Sequence, residues 1–453
     1  VSNLSLLKEK SLIIVFSYAP AGLGHLRVSN ALSGGLPQSV TPLLIGSHDE
    51  ATSSMHKFMS IHSYTRALME WAQVGIQEDI FAFFYRRALM NDTDELYEQI
   101  AQIFDQRIDV PKEILFVATH FGLGLKIAAI KNKLESEKGV KVHLIVQVTD
   151  DSPQHMWYVN GADLTFVPSE KTKTTLLSYG KRMKYPHIDI QILPYPISLK
   201  MSDILSDAKL KQREKQLDPN AENKINMALP VSGAAVGMDF YKVVMNSLHN
   251  RSKRFTFHVV SKNAPFTQYF LFTIATLPYA RLYTSIHERE VVDLYEDLYV
   301  REVISLEITK PSEQAFKSLY SSKQVGGSVI LFSQPVGRQE YDNLDFMRRH
   351  NLIFPKHETR ELMAKFERGA KLTKYDTEHL FGLRDSIRGL EIPTNPHKAA
   401  AFIWWCFENE LLLNMHNHSK TNRTKSLETL SNGVELFWQQ IENYLQHAAT
   451  SLR

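Results

Sequence analysis

Residues 11–32 read SLIIVFSYAPAGLGHLRVSNAL. Leu12 to Phe16 form a continuous apolar run. That predicts a strand buried on both faces, as in a parallel sheet. Gly22 and Gly24 mark a turn, and Leu26, Val28, Ala31 and Leu32 then recur with helical period. Strand, glycine turn and helix open a βαβ unit, and doubly wound sheets bind ligands at the carboxyl ends of such strands. His25 stands where the helix begins. There the free N–H groups and the dipole favour an anion, and an imidazole can take a proton from a hydroxyl near neutral pH. The stretch is not Gly-x-Gly-x-x-Gly, because Arg27 holds the sixth place, and no Gly-Lys-Ser/Thr follows to make a P-loop. A tight turn with a surface histidine is the plainer reading of the same residues.

The pattern repeats outward. EILFVATHF, KVHLIVQVTD, LTFVPS and IDIQILPYP follow in the first half, and KINMALPVSG, RFTFHVVSK, ARLYTSI, VISLEITKP and SVILFSQP in the second. Helical segments such as GLGLKIAAIKNKLESEK and DFYKVVMNSLHN lie between them. Strand and helix alternate, so the fold class is α/β with parallel sheets. The series starts twice, which predicts an N-terminal Rossmann-like domain over 1–195 and a second over 196–355. Residues 193–224, with several prolines and then a charged stretch, read as an interdomain linker and a surface helix or loop. Residues of about 50–110 form a helical insertion rich in aromatics: Phe58, Tyr64, Trp71, Phe81, Phe83, Phe84 and Tyr85. From 356 to 453 no strand is apparent, which predicts a helical C-terminal extension, part of it packed back on the N-terminal domain.

The chain has 453 residues, 43% hydrophobic and 22% charged, the profile of a folded two-domain protein. A formal charge of +3 is too mild for a nucleic-acid binder, which needs a clustered basic face. Cys406 is the sole cysteine, so no internal disulfide forms and a reducing compartment is expected. VSNLSLLKEK lacks a basic segment followed by a long apolar one, and no run reaches the roughly 18 apolar residues of a spanning helix. YFLFTIATLPYA (269–280) and AAAFIWWCF (399–407) come nearest and read as buried core. The expected location is cytoplasmic, with peripheral contact to the inner face of a membrane left open.

Other chemistry-bearing residues fall at strand ends. His120 follows the strand in EILFVATHF, and Asp150, Asp151, His155 and Trp157 follow the next one. His155 and Trp157 could equally be packing residues, and Ser169 with Thr172 could simply cap a helix. VSGAAVG (231–237) offers a phosphate cradle or an ordinary glycine-bearing turn. Glu313, Gln339, Glu340 and Asn343 suit the hydroxyls of a ribose or sugar, although exposed polar residues are common. His416 and His418 match no metal-ligand spacing and read as surface or loop residues.

Taken together, the ordered pattern resembles the glycosyltransferases of the GT-B fold, in particular the group of MurG, monogalactosyldiacylglycerol synthase and processive diacylglycerol glucosyltransferases. The matching residues are Gly22-Leu23-Gly24-His25, then Val148-Thr149-Asp150, His155, Trp157, Asp163, Val167-Pro168-Ser169-Glu170 and Gly180. Pro194-Tyr195-Pro196, Gly233 to Gly237, Lys310-Pro311 with Glu313, and Pro335 with Gln339-Glu340 and Asn343 continue the series. It spans residues 11–350. The chain departs from the pattern at Pro20 and Leu23, at Ala234 and Ala235 in place of glycines, and at Ser312, which alone separates Lys310-Pro311 from Glu313.

The resemblance implies two Rossmann-like domains facing a central cleft. It implies a nucleotide-sugar co-substrate, a UDP-sugar first of all, with no cofactor and no metal, and inverting transfer to a hydroxyl acceptor, lipids included. Donor binding would fall to Gly22, Gly24, Gly233, Gly237, Lys310, Glu313, Gln339, Glu340 and Asn343. Glu313 would hold the ribose, Gln339 and Glu340 the sugar hydroxyls, and Gly237 with its helix would face the diphosphate. His25 would be the general base or an electrostatic partner of the phosphates, with His120, Asp150, His155 and Trp157 on the acceptor side. Phe81, Phe83, Phe84, Tyr85, Arg86 and Arg87 would form an interfacial patch in a lipid-modifying enzyme, or else a helical cap over the sheet. The alternatives are a nucleotide-sugar epimerase or hydrolase, and a non-catalytic nucleotide-sugar or glycan-binding protein.

Overall fold

The computed structural model describes residues 4–18, 23–46, 76–105, 107, 111–231, 235, 237–319, 325–333, 338–382, 387–418 and 426–450. Gly22, Gly233, Phe58, Tyr64 and Trp71 lie outside the described residues. The chain forms two compact units. One comprises Val1–Leu199, Val336–Arg338 and Ser426–Arg453, and the other Lys200–Pro335 and Gln339–Lys425.

The first unit holds a six-stranded parallel sheet: β1 (Leu12–Tyr18), β2 (Leu43–Gly46), β3 (Glu113–Ala118), β4 (Lys141–Gln147), β5 (Leu164–Val167) and β6 (Ile190–Ile192), in the order β2-β1-β3-β4-β5-β6. Ile114, Leu115, Phe116, Val117 and Ala118 are all fully buried, so helices cover both faces of β3 and an alternating pattern would have failed there. The helix Phe121–Lys138 turns Leu123, Leu125, Ile127, Ile130 and Leu134 inward. The C-terminal helix Gly433–Thr450 also belongs to this unit. Trp438 meets Phe16 edge-on and its Nε1 donates to the Leu32 carbonyl at 2.8 Å, while Glu442 accepts the N–H groups of Leu6 and Leu7.

The second unit repeats the scheme with β7 (Ile225–Pro230), β8 (Phe255–Lys262), β9 (Ala280–Ser285), β10 (Leu306–Thr309), β11 (Ser328–Leu331) and β12 (Gly389–Glu391), ordered β12-β11-β10-β7-β8-β9 and all parallel. Both units are Rossmann-like, as the α/β reading requires. In each, the chain leaves its first strand in one direction and returns on the other side. β1 is flanked by β2 and β3, and β7 by β8 and β10. Ligands bind at the carboxyl ends beside such a reversal.

Several expectations are corrected. The tail is not strand-free, because β12 joins the second sheet. The 193–224 stretch holds the boundary between the units, at Leu199–Lys200, and a helix, as expected, but much of it is packed. Pro194, Tyr195, Pro196 and Ile197 are buried, and helix Asp207–Leu217 buries Leu210, Arg213, Gln216 and Leu217. His416 is fully buried in helix Leu411–His418. The 399–407 run is core at Phe402, Ile403 and Cys406, and the 269–280 run is core at Phe270, Leu271 and Ile274, but its Tyr269 and Phe272 are about three-quarters exposed (76% and 74%). Arg86 is buried, not interfacial. It donates to the Tyr158 carbonyl, because the guanidinium, once out of water, must find an acceptor.

His258, wholly buried in β8, contacts the Tyr283 hydroxyl through Nδ1 (3.1 Å) and the side-chain Oδ1 of Asn226 through Nε2 (3.2 Å). Burial pushes its imidazole down to about 4. An unfolded histidine protonates near pH 6.5, so as pH falls the unfolded chain binds the proton first. This contribution to stability is complete above about pH 6.5 and is lost as pH falls toward 4. In urea titrations at pH 7.5 and 4.5, His258→Gln should show an acid-induced loss smaller than that of the parent by about 2 kcal/mol. Equal losses would contradict this assignment.

Candidate functional site

His25 sits in the first turn of helix Leu23–Gly34, just past β1, with Gly24 half-buried beside it. Its Nδ1 lies 2.6 Å from the Thr119 carbonyl oxygen and 3.3 Å from the Thr149 hydroxyl. A carbonyl oxygen only accepts, so Nδ1 carries the hydrogen and the lone pair of the neutral ring is on Nε2. Thr119 is itself fixed. Its N–H donates to the Ser17 carbonyl at 3.1 Å, and its hydroxyl meets Ser29 Oγ at 2.9 Å. The register pairs Ser17 with Ala118 and Ala118 with Val146, so β1, β3 and β4 end level with one another.

Aromatic rings surround this histidine. His120 lies edge-on to it at 5.0 Å, stacks on Phe121 at 4.6 Å, and caps helix Phe121–Lys138 by accepting the Gly122 N–H. Trp157 is buried 6.4 Å from His25 and 5.5 Å from Phe121. The structure thus brings His25, His120 and Trp157 together.

His155 does other work. Its N–H donates to Glu78 at 2.9 Å, its Nδ1 lies 2.8 Å from Asp79, and its ring stacks on Tyr179 at 4.1 Å. Burial pushes it down to about 4 against the opposing pull of Asp79. These contacts tie His155 to the first turn of helix Ile76–Asn91. Asp150 is partly buried at the end of β4. The neighbouring Asp151 is fully buried and accepts the Ser169 and Thr172 hydroxyls, while Ser169 caps the helix Glu170–Arg182.

In the second unit, Gly237 begins helix Met238–Arg251 just past β7 with φ of 90°. A Cβ there would come within 2.8 Å of the Phe332 ring, which stacks on Phe240 at 4.7 Å. Ala235, two residues earlier, holds the left-handed φ of 53° that a glycine usually supplies. Past β10, the Lys310 ammonium pairs with the Glu340 carboxylate, and Asn343 donates to the Pro311 carbonyl at 3.1 Å. Glu313, buried, opens helix Glu313–Leu319, and Gln339, exposed, opens helix Gln339–Arg349. These residues gather beside the second reversal point.

Sequence reasoning missed Thr119, Phe121 and Phe332, and it named Thr149 only within Val148-Thr149-Asp150, with no role of its own. Thr119 and Phe121 flank His120 directly after a strand, and that position was their only signal.

No protein-family profile matches the chain, and no curated protein matches it. Among solved structures it is similar to S. aureus MnaA with UDP (12% identity, 96% of each chain covered, TM-score 0.47). It is also similar to a glycosyltransferase from Rickettsia africae (11%, 97% and 99%, 0.45) and to a UDP-glucosyltransferase from Polygonum tinctorium (12%, 94% and 98%, 0.41). At TM-scores below 0.5 these likenesses decide neither fold nor chemistry, which rest on the strand orders and side chains above.

The turn before helix Met238–Arg251 makes opposite demands two residues apart. Ala235→Gly should relieve left-handed strain and raise stability by about 0.5–1 kcal/mol. Gly237→Ala should add strain and displace Phe332, at a cost of about 2 kcal/mol or more. Urea midpoints should move in opposite directions, and movement in the same direction would refute these backbone assignments.

Proposed function

We propose that the protein is a glycosyltransferase that moves a sugar from a UDP-sugar to a hydroxyl acceptor, with inversion and without a resident metal. The observation that carries this reading is the placement of each candidate set at the reversal point of its own sheet. One set is built around a histidine with an oriented lone pair. The other is built around carboxylates and a glycine-started helix. Nε2 of His25 takes the acceptor's proton, the acceptor oxygen bonds the anomeric carbon, and the bond from that carbon to the phosphate oxygen breaks. The departing UDP is anionic, and the N-terminus of helix Met238–Arg251 suits that charge. Glu313 serves the ribose, and Gln339 and Glu340 serve the sugar hydroxyls.

A lipid acceptor and contact with a membrane face are supported by one surface. Ile80, Phe83, Phe84 and Met90 are exposed on helix Ile76–Asn91, with Arg87 on the same side. Among the described residues no helix is long and apolar enough to cross a membrane.

Thermal-shift titration with UDP, GDP, ADP and dTDP should give a selective shift with UDP. Binding at a hundredfold excess over Kd adds about 2.7 kcal/mol. His25→Ala should keep that shift and lose transfer by about 100-fold or more. A UDP shift with full transfer in His25→Ala would remove the base from the mechanism, and no shift with any nucleotide would contradict the donor site.

A further inference from the structure

The side chains expected to grip the donor are braced by two neighbours in the same group. Lys310 follows β10, and its ammonium is committed to Oε1 of Glu340. Both side chains are nearly out of water, at 14% and 10% exposure, so each compensates the other's charge. That pair fixes the rotamer of Glu340 and therefore where its second carboxylate oxygen is held. Asn343, one turn further along helix Gln339–Arg349, does something different. Its amide holds the Pro311 carbonyl at 3.1 Å. The Ser312 N–H donates to the Lys310 carbonyl at 2.8 Å and the Ala315 N–H to the Ser312 carbonyl at 3.0 Å, closing the short turn that launches Glu313 into its helix. Two segments distant in sequence, 310–313 and 339–343, are therefore cross-tied at two points. One tie ends on Glu340 and the other on the turn that carries Glu313.

Building on the donor reading above, we propose that Lys310 and Asn343 are positioning residues with separable targets. Lys310 aims Glu340 at the sugar hydroxyls, and Asn343 aims Glu313 at the ribose. Neither touches the ligand. The sugar's free hydroxyls would then donate to a carboxylate held ready before binding.

Calorimetric titrations of UDP and of UDP-glucose, UDP-galactose and UDP-N-acetylglucosamine test this on the full chain. Lys310→Met should weaken the preferred UDP-sugar by about tenfold and leave UDP within about twofold, and Lys310→Arg should restore the sugar-dependent part. Asn343→Leu should weaken UDP and UDP-sugar alike, by about tenfold. If Lys310→Met fails to fold because it strands a buried carboxylate, Lys310→Gln, whose amide can still donate to Glu340, should fold and show the same split in weaker form. Equal losses for UDP and UDP-sugar in the Lys310 variants, or no rescue by a folded Lys310→Arg, would overturn the assignment while leaving the donor site standing. A parent protein that binds no UDP would overturn the donor reading, and this inference with it.

Discussion

The hydrogen bond from His25 Nδ1 to the Thr119 carbonyl is the constraint on which the first unit's chemistry depends. It exists because β1 and β3 pair in parallel with Ser17 opposite Ala118, which brings the end of β3 beside the start of the helix after β1. A slip of one residue would turn every side chain of the strand to the opposite face. Thr119 would then present a different group to the imidazole. The imidazole proposed as the base is thus set by strand pairing, and the rings of His120, Phe121 and Trp157 close around it.

The second unit meets the same topological demand by other means. Its first turn has alanine where a glycine would be easy, and it keeps Gly237 where the Phe332 ring admits nothing larger. Polar residues beside β10 are held by one another, through Lys310 with Glu340 and Asn343 with Pro311. Preorganisation of this kind lowers the ordering cost of binding a flexible ligand.

Much of the fold was legible because buried parallel strands leave continuous apolar runs, and β1, β3, β4, β8 and β11 all do. The edge strands β2 and β12 were not, because Leu43–Gly46 and Gly389–Glu391 are short and carry no clear pattern, whereas the other two edges, β6 and β9, were read from IDIQILPYP and ARLYTSI. The position of His25 was readable from the glycine turn before it, yet its partner Thr119 is 94 residues away and looks ordinary in sequence. Arg86 and His416 read as surface residues because type and local period say nothing about distant partners. Arg86 is buried by the Tyr158 carbonyl, which a separate loop supplies. Asp150 and Asp151 are adjacent, and only the folded chain shows that Asp151 is spent on the Ser169 and Thr172 hydroxyls.

The most direct test of the central claim is the tautomer of His25, read from the imidazole ¹⁵N shifts of selectively labelled protein at neutral pH and assigned by loss of the signals in His25→Gln. The account predicts a protonated, hydrogen-bonded Nδ1 and an Nε2 with the shift of a lone-pair nitrogen. A hydrogen on Nε2 with the lone pair on Nδ1 would contradict both the bond to Thr119 and the role of His25 as the base.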